Sequence, residues 1–502
     1  MLSILFFNKL VFASGKHGYD RIVIQGTIPG FCYAQGMTSF LNAHNIRIFD
    51  YPHFAEPLRD NLRANAEQIA KESGLEIEFI RKKNFRKESR IQDILKERGE
   101  YPGLVHIFSA MESCPSYQPW HNKKTHQTYL KPTEAKCLHY YFYFIDPQLG
   151  LCYVRVPTWC PFRLQIYFNG HSWLASALSN QGIEYSLMDN AFVNIGNFPQ
   201  AQTLADSLTA DIIHKKLDSF AQMYCPVIGQ FDLLYHWSIM QAEYATDIIF
   251  KRQQDLQSIY DHLTRTAIHA VKPDNIATFL GRKLHGNYQG EMGNHFNTRI
   301  MGTRIKHTMG PVSMKMYDKF GLILRIETTV NDVSFFKHYR RVEHRDGTHC
   351  LKLAQMKKGI YSITALQQLL AAANRRYLQF ISAIEDTSAG SDNLNKITQT
   401  VTENNRSYKG FNFFSQDDQM ILETLTRGEF NISGFKNKHL RQILIDKTSS
   451  QISRLLKRLH AHGLIKKIGN TYKYYISKCG IQAITMGLKL KELVIIPEFA
   501  KM

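Results

Sequence analysis

The sequence lacks any apolar run of the roughly 18–20 residues that a membrane span requires. Its opening stretch, MLSILFFNKLVFASG, is interrupted by Asn8 and Lys9 before any small-residue cleavage signal. These absences predict a cytoplasmic chain with no membrane partner. Cysteine is sparse: eight residues are scattered with no C-x-x-C pair and no spacing suited to zinc. Reduced thiols are therefore expected rather than a disulfide framework. The histidines and cysteine of the 121–139 stretch (His121, His126, Cys137, His139) match no standard metal spacing either. The segment QGTIPG carries two glycines but neither G-x-x-x-x-G-K-[ST] nor G-x-G-x-x-G, so phosphate-loop and dinucleotide-binding readings fail. Acids are in short supply: 43 Asp+Glu against 62 Lys+Arg leave a net charge of +19 over 502 residues, which points to a polyanionic partner.

What is present reads as folded. A hydrophobic share of 44% and a charged share of 21% are those of an ordinary globular protein, long enough for about three domains. From Asp20 to Phe108, short β-like runs (RIVIQGTI, IRIF, LEIEFI, GLVHIF) alternate with helical ones, which predicts a mainly parallel α/β layer over 1–120. Residues 121–136 read as a polar loop. LHYYFYF and LCYVRV then flank Asp146–Gly150 as a hairpin, and RLQIYF follows as a strand. Polar residues scarcely alternate in LHYYFYF, so it is either buried on both faces or offers an aromatic face to a ligand. A strand is expected at 183–193 and a helix over 236–257, completing a segment 121–262. A basic meander and a closing amphipathic helix (363–383) make up 263–384, and the small polar residues of 385–409 read as a linker. The expected fold class is thus an α/β (α+β) multi-domain body with mixed sheets plus a C-terminal winged helix-turn-helix domain over 410–502.

That last unit carries the most specific pattern. Ser415-Gln416-Asp417-Asp418 opens a helix that finishes near Gly428, and FKNKHLRQIL forms a second. SSQISRLLKRLHAHG forms a third, with Ile452, Leu455, Leu456 and Leu459 as its buried stripe. LIKKIG and TYKYYIS pair across Gly469-Asn470 as a wing. Between 431 and 480 there are eleven Lys/Arg against one acid, Asp446. The stretch 410–495 resembles the winged-helix domains of MarR-type transcription regulators, in its recognition helix, Gly-Leu-Ile step and basic wing. The resemblance implies base-edge contacts by Ser449, Ser450, Gln451 and Arg454, and phosphate contacts by Lys466, Lys467, Tyr472 and Lys473. Lys457 and Arg458 face outward on the same helix by its periodicity.

A second basic region spans 264–341, with thirteen Lys/Arg against five acids. Its Arg304, Lys306, Lys315, Lys319 and Arg325 are candidate nucleic-acid contacts. If Lys319-Phe320-Gly321 is a hairpin loop, Met314, Met316, Leu322, Leu324 and Ile326 share one face with Asp318 at its rim, and Lys315, Tyr317, Arg325 and Glu327 share the other. Tyr-Asp-Lys followed by Arg-x-Glu resembles, over about twelve residues, a segment of phage and plasmid replication initiators. It makes Tyr317 a candidate nucleophile, although no His-hydrophobic-His metal motif accompanies it.

Metal-assisted strand cleavage needs carboxylates converging on Mg2+. The candidate catalytic acids are Asp50, at the end of IRIF, Asp189, Glu243 and Asp247, the last two placed four apart on one helix face. Asp50, Asp189 and Glu243 are the candidate metal ligands. The expectation is a nucleic-acid-binding protein with two basic surfaces and, as a reaction for the body, Mg-dependent cleavage or strand transfer of the mobile-element kind. A non-enzymatic winged-helix transcription regulator with a large sensor or oligomerisation domain and an RNA-associated scaffold satisfy the same sequence. DNA and structured RNA both remain open as partners, and so does oligomeric state, a dimer included.

Overall fold

The computed structural model describes residues 12–82, 84–231, 233–283, 292–299, 302–382, 394–427, 430, 434–469, 471–491 and 495–499. The chain divides into two compact units, Met1–Ala383 and Ile384–Met502.

The first unit is built on one sheet whose described strands run β10-β11-β12-β13-β9-β1-β6-β5-β4-β3-β2 from edge to edge. Its first half comprises β1 (Phe12–Thr27), β2 (Ile77–Phe79), β3 (Gly103–Asn122), β4 (Gln127–Asp146), β5 (Gly150–Pro157) and β6 (Leu164–Phe168). A small hairpin of β7 (Tyr185–Met188) and β8 (Ala191–Ile195) stands apart, and β9 (His236–Phe250) rejoins the large sheet. The meander β10 (Met292–Arg299), β11 (Gly302–Met309), β12 (Val312–Lys319) and β13 (Ile323–Val330) completes it. Among the described residues only β2 pairs with its neighbour β3 in parallel; every other pairing is antiparallel, which corrects the mainly parallel layer expected from sequence.

The helices α1 (Ala34–Ala43), α2 (Tyr51–Glu72), α6 (Ala210–Tyr224), α7 (Gln253–His269), α8 (Pro273–Phe279) and α9 (Ile363–Ile381) share one continuous core with the sheet. On the opposite face lie α3 (Lys87–Arg98), over Phe108, Tyr141 and Tyr143, and a cap made of α4 (Gly170–Asn180), α5 (Phe198–Asp206) and the β7–β8 hairpin. LHYYFYF is consequently buried on both sides: Tyr140, Phe142 and Phe144 face the main core while Tyr141 and Tyr143 face α3. Gly26 is required by close approach, because a Cβ there would lie 2.4 Å from the Trp237 ring.

Several elements depart from the sequence reading. The expected helix over 236–257 is strand β9 followed by α7. IRIF leads into a 3-10 turn (Ile48–Asp50), the 121–136 loop is the turning end of the β3–β4 hairpin, and the strand expected at 183–193 is the hairpin β7–β8. A further hairpin, β14 (Lys337–Glu343) with β15 (His349–Gln355), projects from the unit.

The second unit has its own core. Its elements are the hairpin β16 (Val401–Glu403) and β17 (Arg406–Tyr408), α10 (Gln416–Leu425), α11 (Asn437–Ile443), α12 (Ser449–Ala461), the strand pair β18 (Ile465–Lys467) and β19 (Tyr474–Ile476), and α13 (Lys478–Leu490). The hairpin falls within 385–409, read from sequence as linker, and Ile397 of that stretch is in the core. Gly428 and Asn470 lie outside the described residues. No helix among the described residues is long and apolar enough to cross a membrane, and all eight cysteines are free thiols.

Candidate functional site

Strand alternation delivers polar side chains to the sheet face opposite the main helices, and the register sets them in rows. One row across β12, β13, β9 and β1 reads Tyr317, Arg325, Asp247, Lys16. The next reads Lys315, Glu327, Ala245, Gly18, and the third Ser313, Thr329, Glu243, Arg21. A β-bulge between Tyr19 and Arg21 inserts Asp20 into β1. The two smallest side chains, Ala245 and Gly18, sit in the middle row. Around that gap Asp20, Glu243 and Glu327 converge, each offering a carboxylate oxygen within 4.8 Å of the others.

The carboxylates differ in how fully they are satisfied. Glu327 accepts from Lys315 Nζ at 2.5 Å and from the Tyr317 hydroxyl at 2.8 Å. Asp20 lies 2.8 Å from His171 Nδ1, accepts from Asn190 Nδ2 on both oxygens, and receives Arg325 Nη1 at 3.3 Å. Burial pushes the Asp20 carboxyl up, but the close approach of His171 and the charges of Arg325, His171 and Lys16 outweigh it, so its pKa lies well below the usual range. Among the described residues Glu243 has only long contacts, 3.4 Å to Thr329 Oγ1 and 4.0 Å to Lys315 Nζ. Burial, together with the charge of Glu327, raises its pKa. Burial likewise lowers Lys16, to about 8, against the opposing pull of Asp247. Tyr317 is raised by burial and by Glu327, which makes it a hydrogen-bond donor at neutral pH and a poor oxyanion.

Of the residues singled out from sequence, Glu243, Asp247, Lys315, Tyr317, Lys319 and Arg325 come to this face. Asp247 is held by both arms of the Arg325 guanidinium, Nε at 2.6 Å and Nη2 at 2.7 Å. Arg325 also donates to the Asn190 carbonyl at 2.9 Å and is 1% exposed, so it is an internal tie and no contact for a nucleic acid. Lys319 bonds the side chain of Asn190 and lies 3.3 Å from Asp189. Asp189 itself is exposed at the β7–β8 turn with a positive φ of 53°. Asp50 sits at the start of α2, paired with Arg47 at 2.8 Å, outside the cluster. Lys306 lies beside Lys315 across β11–β12 and is half-buried, as is Arg304.

The sequence reading missed Asp20, Lys16 and His171. Lys16 and Asp20 share a parity that conflicts with the Ile22/Ile24 pattern following them, and this conflict is the local sign of the bulge. His171 left no such sign. Glu327 was placed on the correct face but not among the acids. The hairpin pairs Lys315 with Glu327 and Tyr317 with Arg325, two residues from the register that a 319–321 loop imposes. An even shift preserves the faces, so the strand face assignment survives. Leu322, in the loop, packs instead with Ile249 and Ile323.

The same sheet face carries a cavity of about 110 Å³, lined among others by Gln25, His139, Arg155, Trp159, Arg163 and Gln165. Its Arg155 is bound to Glu112 at 2.7 Å, and Tyr141 donates to the same carboxylate at 2.6 Å.

In the second unit, Arg406, Lys409, Lys447, Arg454 and Lys457 line an open groove of about 730 Å³ between the β16–β17 hairpin and α12. Arg458 does not face outward: it binds Asp418 at 2.9 and 3.0 Å and the carbonyls of Lys409 and Gly410 at 2.8 and 2.7 Å. Gln451 is engaged in the α12 capping box with Thr448, and Ser449 bonds Asn437. Ser450, Lys466, Lys467 and Tyr472 are exposed, and Lys473 is half-exposed beside them. Comparison with protein-family models, with curated proteins and with solved structures finds no match.

Proposed function

We propose that the chain is a nucleic-acid-binding protein. Its second unit acts as a winged-helix module, α10 to α12 with β18–β19 as the wing, and the polar sheet face of the body receives a further stretch of DNA or structured RNA. The observation that carries this reading is the groove between α12 and β16–β17, lined by six Lys/Arg side chains, of which Arg458 is tied to Asp418, with no carboxylate among its described lining residues. Neutralised phosphates release counterions, and this concentration of cations is suited to that exchange. Free thiols throughout agree with a reducing, cytoplasmic setting.

Processing chemistry, where the body performs it, belongs to Asp20, Glu243 and Glu327. Their three oxygens suit a hard divalent cation such as Mg2+, which would stabilise the attacking and leaving oxygens of a phosphodiester. Glu243 is the ligand best placed to accept it, since its present contacts are the longest. Lys315 would be displaced from Glu327 or turned toward the phosphate.

The test is a labelled-strand gel with single-stranded DNA, duplex DNA and structured RNA, each with Mg2+ and with EDTA. A shifted band on at least one substrate is expected, and absence of any shift overturns the reading. Metal-dependent product that disappears in Glu243→Gln assigns cleavage to the cluster; product retained in that variant removes the cluster from the chemistry.

A further inference from the structure

The β14–β15 ribbon is a part of the body whose exposure its own core does not explain. At its base it is fixed: Phe336 and Met356 are buried, the Met356 N–H donates to the Phe336 carbonyl at 2.9 Å, and the Ile239 N–H donates to the Lys358 carbonyl at 2.7 Å. From there seven residue pairs run out, from Lys337 opposite Gln355 to Glu343 opposite His349. The tip is ordered rather than loose. Asp346 accepts from the Thr348 N–H at 3.0 Å and from its hydroxyl at 2.7 Å, while Gly347 takes a φ of 78°.

One face of this ribbon shows Tyr339, Leu351 and Leu353 at 71%, 72% and 55% exposure. A two-stranded hairpin alone is at best marginally stable in water; the His338, Arg340 and Val342 face of this one is half-buried, and three large apolar side chains together on its other face make a surface that a partner normally covers. Residues 337–358 also carry seven Lys/Arg against only Glu343 and Asp346.

We infer that the ribbon is a groove-binding arm for duplex DNA, an inference that rests on the nucleic-acid reading above. Seven residues at about 3.4 Å each give a shaft of roughly 24 Å. A B-form major groove about 12 Å wide admits a two-stranded ribbon, whereas the deep, narrow major groove of A-form RNA does not. By the register, Lys337 and Arg341 share the face of Tyr339, Leu351 and Leu353, and Lys352 takes the opposite one; the apolar strip then meets base edges and thymine methyls while Lys337, Arg341 and, at the tip, Arg345 reach phosphates on the groove walls. Charge decides between partners: a protein would have to supply several carboxylates around an apolar strip, while a duplex supplies phosphates on both sides of one.

The test uses the full chain. Lys337→Ala/Arg341→Ala/Arg345→Ala alters only exposed cations, and Tyr339→Ser/Leu351→Ser/Leu353→Ser alters only the apolar strip. Duplex DNA binding is measured across a salt series, structured RNA binding beside it, and oligomeric state by sedimentation. The cation variant should bind duplex at least about tenfold more weakly with a salt slope shallower by roughly 2–3, at about 0.9 per phosphate contact. The apolar variant should weaken duplex binding with the slope kept, and RNA binding should not change in either. Unaltered duplex affinity and slope in a chain that binds duplex overturns the arm. A changed oligomeric state with unaltered DNA binding assigns the strip to self-association and also overturns it. Failure of the unmodified chain to bind any nucleic acid overturns the broader reading and the arm with it.

Discussion

Arg325 and Asp247 form the most enclosed charge pair among the described residues of the body, and Asp20 adds a second carboxylate to the same guanidinium. Taking such charges out of water is expensive, and their attraction offsets that cost only while the geometry is intact. Replacing Arg325 by Ala leaves Asp247 buried without its partner, and should cost on the order of 3–5 kcal/mol in chemical denaturation. The double variant Arg325→Met/Asp247→Leu should recover much of this loss, because it removes the stranded charge along with the pair. If Arg325 were instead a nucleic-acid contact, the single variant would lose binding while keeping its stability. The opposite result, lost stability, is what the bidentate geometry requires.

At the scale of elements, two bulges explain both the site and the misreading of β9. The first inserts Asp20 between Gly18 and Arg21, so residues on both sides of it address the same face. The second, where Val23 pairs with Gln241 but Ile24 with Ile239, shifts the parity of β9 at Met240. The core positions consequently run Trp237, Ile239, Ala242, Tyr244 and Ile248, and the step of three from Ile239 to Ala242 followed by the step of four from Tyr244 to Ile248 imitates the periodicity of a helix. In the second unit, Arg458 ties α12 to the chain leading from β17 through Lys409, Gly410 and Asp418, whereas Arg454 and Lys457 are exposed along the groove. Arg458→Ala should lower the melting temperature of that unit by several degrees with little change in salt slope. Arg454→Ala/Lys457→Ala should reduce the slope of nucleic-acid binding by about 2 and leave melting unchanged. Equal effects of the two variants on both readouts would remove the distinction.

The whole molecule contains two units with separate cores. Thermal unfolding should therefore show two transitions, and acid should act on that of the body through His307. This imidazole is buried between Asn294 at 2.6 Å and Tyr377 at 3.0 Å, and burial lowers its pKa to about 4. The folded state then binds fewer protons than the unfolded one between the unfolded value near 6.5 and about 4. Stability is thus complete above about pH 6.5 and falls as the pH drops through that window. His307→Gln, which can keep both hydrogen bonds, should flatten this fall in calorimetry from pH 7 to 4. An unchanged acid limb would mean that other groups set it.

What the sequence by itself determined was local and periodic. The alternation of VSMKMYDK and LILRIETT settled which side chains share a face, even though the register differs by two, because a strand has period 2 and an even slip preserves it. The helical stripe of 449–461 and the Asp146–Gly150 turn were legible for the same reason: each is decided by neighbours within a few residues. The direction of strand pairing, the bulges and the identity of the clustered acids were decided only by the tertiary structure. Asp20 meets Glu243 and Glu327 across more than two hundred residues of chain, and no local period encodes which distant strands become neighbours. Arg325 and Arg458 were read as free cations because charge is visible in a sequence, whereas the carboxylates and carbonyls that neutralise it appear only once those strands and helices are packed.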